Sequence, residues 1–229
     1  MHKKGPIELS FHIIILFLYF QYPINYLKNR YKRLVKFLDN NKLLFSGQFG
    51  FRSNVPLHML FYLLQIRFKN AIEKKLYSCG LFLDLSKAFD TVNHSILIRK
   101  LEHYAIRDII KDWFCSYLTY RLQFLSIGNI KSDPKPITCG VPQGSVLGPL
   151  LFLLYINDFK NSASDLDFNL FADDSNLFYS HKSLQCLETK LNDQLCNVNE
   201  WLCANKLSLN IDKSNCHLSS SSKENSIFQ

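Results

Sequence analysis

No C-x-x-C pair occurs among the seven cysteines of this 229-residue chain (79, 115, 139, 186, 196, 203 and 216). The odd number argues against a disulfide framework and the spacing against a zinc ribbon, so reduced thiols in an intracellular protein are the simpler reading. His217 beside Cys216 does not make a ligand pair either, because neighbours in a strand point to opposite faces. No apolar run reaches the roughly 20 residues that a membrane-spanning helix needs; FHIIILFLYF at 11–20 is about half that length. It follows His2, Lys3 and Lys4 as a signal-peptide core would, but no small-residue cleavage site comes after it. Neither secretion nor a membrane partner is expected, and between nucleus and cytoplasm the residues do not choose. No internal repeat is visible. Acids are scarce, 19 against 27 Lys and Arg, for a net charge of +8. The excess is clustered: residues 28, 30, 32, 33, 36, 42 and 52 are basic and only Asp39 among them is acidic. Such a stripe suits phosphate contact with salt-sensitive binding, although a solvated helix face has the same pattern.

With 47% hydrophobic residues, the chain can bury one substantial core or two small ones. Apolar positions Leu27, Tyr31, Leu34, Phe37 and Leu38 predict a helix over 26–44, and a second follows Pro56 over 57–75. A strand is expected at 81–85, then helices at 95–104 and 106–119, the latter presenting Ile106, Ile109, Ile110, Trp113, Phe114 and Tyr117. RLQFLSIG and KPITCG read as a hairpin, and 146–158 as an apolar helix. Leu184, Leu187, Leu191, Leu195, Val198 and Leu202 mark an amphipathic helix over 184–204 with Ser183 as N-cap. The class is α+β.

Three segments carry chemistry. In Phe171-Ala172-Asp173-Asp174, two adjacent carboxylates lie between apolar strand-like flanks. Asp-Asp is an ordinary turn dipeptide, so the pair alone says little. In LFLDLSKAFD (81–90), an apolar run delivers Asp84 as a buried strand ends, where an unpaired charge would cost several kcal/mol; a metal explains Asp84, whereas Asp90 reads as a turn or cap residue. In CGVPQGSVLGPLLFLLYINDF (139–159), glycines and prolines punctuate a loop leading into a helix, and backbone without side chains lets a ligand approach closely.

In this order the three segments resemble the reverse transcriptases of non-long-terminal-repeat, LINE-like retrotransposons, over roughly Tyr26 to His217. QFGFR (48–52) resembles the fingers motif of that family, DWFCSYLTYR (112–121) the segment between its first two catalytic motifs, and WLCANKLSLNIDKS (201–214) its lysine-bearing motif. The resemblance implies a right-hand polymerase with fingers and a palm of split βαβ (ferredoxin-like) antiparallel type, helices on one face and acids on the other, the thumb missing. It divides the chain into an atypical apolar segment (1–25), fingers (26–80), palm (81–91), a fingers-like insertion (92–139), palm again (140–218) and a polar tail (219–229). It implies RNA-directed DNA synthesis with an RNA template, a DNA primer and deoxynucleoside triphosphates. Two Mg²⁺ ions, with Mn²⁺ as a substitute, would be held by Asp84, Asp173, Asp174 and the backbone carbonyl of Leu85.

By the same resemblance Phe89 lies beneath the incoming sugar and would clash with a 2′-hydroxyl. Gln143 and Gly144 line the nucleotide pocket, Arg52 binds the triphosphate and Lys213 protonates departing pyrophosphate. From the residues alone, Phe89 reads also as core, and Arg52 and Lys213 as solvated surface cations. Two departures stand out: Tyr22-Pro23-Ile24-Asn25 replaces the family's Arg-Pro-Ile-Ser, and Ser-Asn-Val-Pro at 53–56 lacks the Ser-Thr pair after the fingers arginine. The expectation is a truncated copy with an intact catalytic centre, with full-length element protein supplying missing parts in trans. The alternative is a remnant that binds RNA or DNA without synthesis. A maturase or telomerase-like enzyme shares the palm logic but matches the FADD and SVLGPLLF wording less closely.

Overall fold

The computed structural model describes residues 14–18, 23–52, 56–119, 121–127, 130–142 and 144–220. Strand β1 (Ile14–Leu18) precedes helices α1 (Ile24–Asn40) and α2 (Leu57–Glu73), strand β2 (Tyr77–Leu83), the short α3 (Ala88–Thr91), and helices α4 (His94–His103) and α5 (Asp108–Leu118). Short strands β3 (Leu122–Ile127), β4 (Ile130–Lys131) and β5 (Lys135–Pro136) lead to α6 (Gly148–Ile156). The hairpin β6 (Asp167–Phe171) and β7 (Asp174–His181), helix α7 (Leu184–Ala204) and β8 (Asn215–Ser219) follow, with 3-10 turns at Phe159–Ser162 and Ile211–Lys213. Within the apolar segment at the N-terminus, residues 14–18 pair antiparallel with β3.

Local sequence accounts for two helix starts through side-chain caps. Ser183 caps α7 by accepting the Cys186 N–H, and Asn93 caps α4 by accepting that of Ile96. The α7 stripe buries Leu187, Leu191, Val198 and Leu202, with Gln194 among them. Helix α5 differs from its expected pattern: Phe114 and Tyr117 are buried, but Ile109 is 84% exposed and Ile110 50%. They sit in the first turn, which turns outward from the core.

The main sheet runs in the order β6-β7-β2-β8, every pair antiparallel. Strand β2 is central and begins four residues earlier than the apolar run suggests, because Tyr77 pairs with β7, and Ser78, Cys79 and Gly80 find partners on both sides. Its Cys79, Leu81 and Leu83, with Leu177 of β7, face a core shared with α6 and α7. Helix α6 is apolar all round and correspondingly buried, from Leu150 to Ile156 without interruption. At its base Lys100 of α4 pairs with Asp158 at 2.5 Å, over the rings of Tyr155 and Trp201.

The opposite face of the sheet is not bare, which corrects the expectation of helices on one face only. Alternate residues of β2 point there, and α2 covers part of it: Phe68 meets Phe178 edge-on at 5.0 Å. A side chain at Gly80 would strike the Phe68 ring at 2.7 Å. Leu60 and Leu64 of α2 form a second small core with Phe49, against Phe82 and Phe171.

Candidate active site

Sheet pairing brings the acids together. Leu83 lies opposite Ser175, and one step further the same register sets Asp84 against Asp174. Both project to the face that carries Phe82 and Asn176, since side chains alternate along a strand. Asp173 is the second residue of the two-residue loop between Phe171 and Asp174, which pair with each other. Beyond β2, Asp84 O accepts from Asn210 N–H and Ser86 N–H donates to Ser208 O, both at 2.8 Å. Backbone groups alternate sides along a ladder, so the Leu85 carbonyl is directed away from this pairing, toward the β7 side.

The loop itself is held from outside. Ala172 has φ +56°, a left-handed conformation that costs an L-residue about 1 kcal/mol; it persists where surroundings over-determine it. The surroundings here are residues 47–50. Phe49 N–H donates to Leu170 O at 2.7 Å and Leu170 N–H to Gly47 O at 2.8 Å, a parallel bridge on the edge of β6. Gln48, only 2% exposed, accepts the N–H of Gly50 at 2.9 Å and of Ala172 at 3.2 Å through Oε1. A Cβ on Gly50 would stand 2.3 Å from Ala172 N, so only glycine allows this approach. In the fingers motif the sequence singles out the arginine and not the glutamine. The signal that could have found it is a long polar side chain set between two glycines and an apolar residue.

Asp84 and Asp174 open onto a cleft of about 1270 Å³ between α2 and the sheet, walled by Leu64, Phe68, Ile72 and Phe82, with Lys213 also on its lining. Desolvation raises the Asp174 carboxyl above its ordinary value; the charges of Asp173 and Asp84 push the same way, and Lys213 opposes them. The acids are thus close enough to repel, yet among the described residues no three Asp, Glu, His or Cys side chains are drawn into a ready ligand cluster. The donors fit Mg²⁺, which takes hard oxygen ligands and keeps waters in its shell; a cation here would relieve the repulsion.

A raised aspartate contributes stability below its unfolded value, 3.8, and loses that contribution as pH rises through the folded one. Asp174→Asn is therefore expected to raise Tm slightly at pH 7 without divalent ions, since solvent screens an exposed carboxylate, and the gap should close toward pH 3. Thermal melts across that range check it; a variant less stable at pH 7 would mean the carboxylate is favourably paired.

The other expected residues are distributed differently. Phe89 stacks on Phe152 at 4.4 Å and meets Phe51 edge-on at 6.0 Å, half-buried beside the core rather than on the acid cleft. Its carbonyl accepts the Val141 N–H at 2.8 Å, tying the loop before α6 to α3. Gly144 has φ +73°, but a Cβ there would meet nothing within 4 Å, so the turn, not crowding, requires glycine. Gln143 lies outside the described residues. Arg52 is not brought to the acids: it pairs with Asp39 at 3.6 Å and donates to Phe45 O at 3.3 Å. The sequence offered no sign that the single acid of the basic stripe would engage it.

Residues 21–226 match the family model for the reverse transcriptase (RNA-dependent DNA polymerase). The chain is 32% identical, over 74% of its length, to the RNA-directed DNA polymerase from mobile element jockey of Drosophila melanogaster. It is 30% identical, over 74% of its length, to the probable RNA-directed DNA polymerase from transposon BS of the same fly. It spans 19% of each of these relatives. Among solved structures, telomerase from Candida tropicalis in complex with a fragment of telomeric RNA superposes with TM-score 0.64 at 13% identity, covering 91% of this chain and 35% of that one. The apo form, truncated from its C-terminal domain, gives 0.62 at 14% identity over 91% of this chain and 43% of that one. Those likenesses are of fold, a polymerase fingers and palm. The chain belongs to the reverse transcriptase (RNA-dependent DNA polymerase) family, and the mobile-element polymerases among its relatives agree with the non-long-terminal-repeat resemblance carried by its motifs.

Proposed function

We propose that this chain carries the catalytic core of an RNA-directed DNA polymerase of a mobile element, extending a DNA primer on an RNA template with deoxynucleoside triphosphates. The observation that carries the reading is the alignment of Asp84 and Asp174 on neighbouring strands, with Asp173 on the adjoining loop and Lys213 at the same cleft. The strand order, with helices between β2 and β6 and between β7 and β8, supports a split βαβ palm of ferredoxin-like type. In that division 81–91 and 140–218 are palm, 26–80 and 92–139 fingers, and α2 lies across the palm sheet.

Asp84, Asp173, Asp174 and the Leu85 carbonyl would hold divalent ions, Mg²⁺ or Mn²⁺. Bound there, they would stabilise the attacking and leaving oxygens of phosphoryl transfer. The primer 3′-oxygen bonds to the α-phosphorus, its proton passes to solvent, and the bond to pyrophosphate breaks. Lys213 is suited to give a proton to that departing oxygen. Phe89, Gly144 and Gln143 would border the sugar, with Phe89 disfavouring a 2′-hydroxyl. Arg52 would reach a triphosphate only after leaving Asp39. Exposed Lys28, Lys32, Arg33 and Lys36 on α1 supply positive charge for the nucleic-acid backbone.

Primer extension on a polyribonucleotide template at low salt tests this. Mg²⁺-dependent synthesis that stops on chelation, and is absent in Asp84→Asn, is the expected result. Salt-sensitive RNA binding with no synthesis would favour the non-catalytic remnant instead. Lys213→Ala is expected to lower kcat by about a hundredfold or more with little change in KM. A change mainly in KM, measured by steady-state kinetics, would assign the lysine to binding instead.

A further inference from the structure

Gln48 joins two parts of the chain that are far apart in sequence, and its bonds go to the loop that sets Asp173. Its Oε1 accepts from Gly50 and Ala172, so two N–H donors define which end of the amide faces the loop. The other end, Nε2, is buried and has no hydrogen-bond partner among the described residues. The carboxamide therefore acts as an acceptor alone. Its target is the N–H of Ala172, the residue in the left-handed conformation, immediately before Asp173. The backbone on either side is fixed by the bridge to Leu170, whose N–H and O both bond to residues 47–49. With Gly50 pressed against Ala172 N, the segment forms a brace on the outer side of the hairpin.

We propose that Gln48 is a positioning residue for the metal-binding acids: by accepting the Ala172 N–H it holds the loop in the conformation that keeps Asp173 beside Asp174 at the mouth of the hairpin. This rests on the metal-dependent polymerase reading above. Groups that orient metal ligands commonly change affinity by about tenfold to a hundredfold when removed. Nearly all of the Gln48 side chain is inside the protein, so a replacement must preserve volume for the effect of the lost acceptor to be read. Methionine matches its length without an oxygen. Glutamate, held protonated by its burial, keeps an acceptor oxygen and, because Nε2 has no partner among the described residues, sacrifices no hydrogen bond.

The test measures Mn²⁺ binding by the electron paramagnetic resonance of the free ion, and hydrogen exchange of a peptide spanning 170–175. It uses the full chain as wild type, Gln48→Met, Gln48→Glu and Asp173→Asn. Wild type should bind Mn²⁺ and Asp173→Asn should lose it. Gln48→Met should weaken binding roughly tenfold or more, with faster exchange in 170–175, and Gln48→Glu should restore slow exchange and binding. If Gln48→Met binds as wild type does while Asp173→Asn fails, the positioning role is wrong and the metal site stands. Equal binding by wild type and Asp173→Asn would remove the metal-site reading, and the proposal with it. Should Gln48→Met not fold, Gly50→Ala displaces the same loop from outside and is expected to weaken Mn²⁺ binding; wild-type affinity there would overturn the brace.

Discussion

Asp173→Asn is expected to reduce template-directed synthesis by about a thousandfold or more while leaving the protein folded and able to bind RNA. The size follows from charge. Loss of one carboxylate from a divalent site removes several kcal/mol of the stabilisation of the reacting phosphoryl group, and ~4 kcal/mol is a factor of about a thousand in rate. Fold should survive because Asp173 sits on a loop and contributes repulsion to Asp174. RNA binding should survive because the positive charge lies elsewhere, on exposed residues of α1. Single-turnover primer extension gives the rate, and filter binding at several salt concentrations gives affinity and its salt slope. Parallel loss of synthesis and binding would make the acid a structural element of the nucleic-acid surface, and the proposed chemistry would have to be moved from this hairpin.

The second large effect is on stability. Phe152→Ala is expected to cost about 3–5 kcal/mol, a substantial part of the ~5–15 kcal/mol that holds a typical domain together. Phe152 is fully buried on α6, a helix with no solvent face to absorb the loss, and its ring stacks on Phe89. Removing it therefore also frees Phe89, which borders the loop at Val141 through a backbone bond. Urea denaturation of wild type, Phe152→Ala, Phe89→Ala and the double variant separates the two contributions. A coupling of about 0.5–1.5 kcal/mol between the rings is expected. A loss below about 1 kcal/mol in Phe152→Ala would mean that the neighbouring leucines collapse into the space.

Much of the local structure was legible because it depends on neighbours in sequence. The α7 helix announced itself through leucines at steps of three and four, with Ser183 placed to accept an orphan N–H. The strand of Asp84 was visible only where it is apolar. Tyr77 to Gly80 carry no strand signal of their own and are strand because β7 pairs with all four and β8 with Ser78 to Gly80. The outward turn of Ile109 and Ile110 was invisible for the converse reason: periodicity names an apolar face without naming what covers it.

The candidate site divides in the same way. The sequence by itself singled out the residues proposed to carry chemistry: an acid at the end of a buried strand calls for a partner, and the paired acids, ordinary as a turn dipeptide, gain meaning from the motifs around them. It also determined their family, through the order of the motifs. Only the tertiary structure decided which of those residues meet. It set Asp84 opposite Asp174, laid α2 over their face, tied Arg52 to Asp39, and recruited Gln48 to the hairpin from 124 positions away. Strand register, helix docking and a buried acceptor's choice of donor are fixed by the burial and hydrogen-bond satisfaction of the whole core, which no single segment contains.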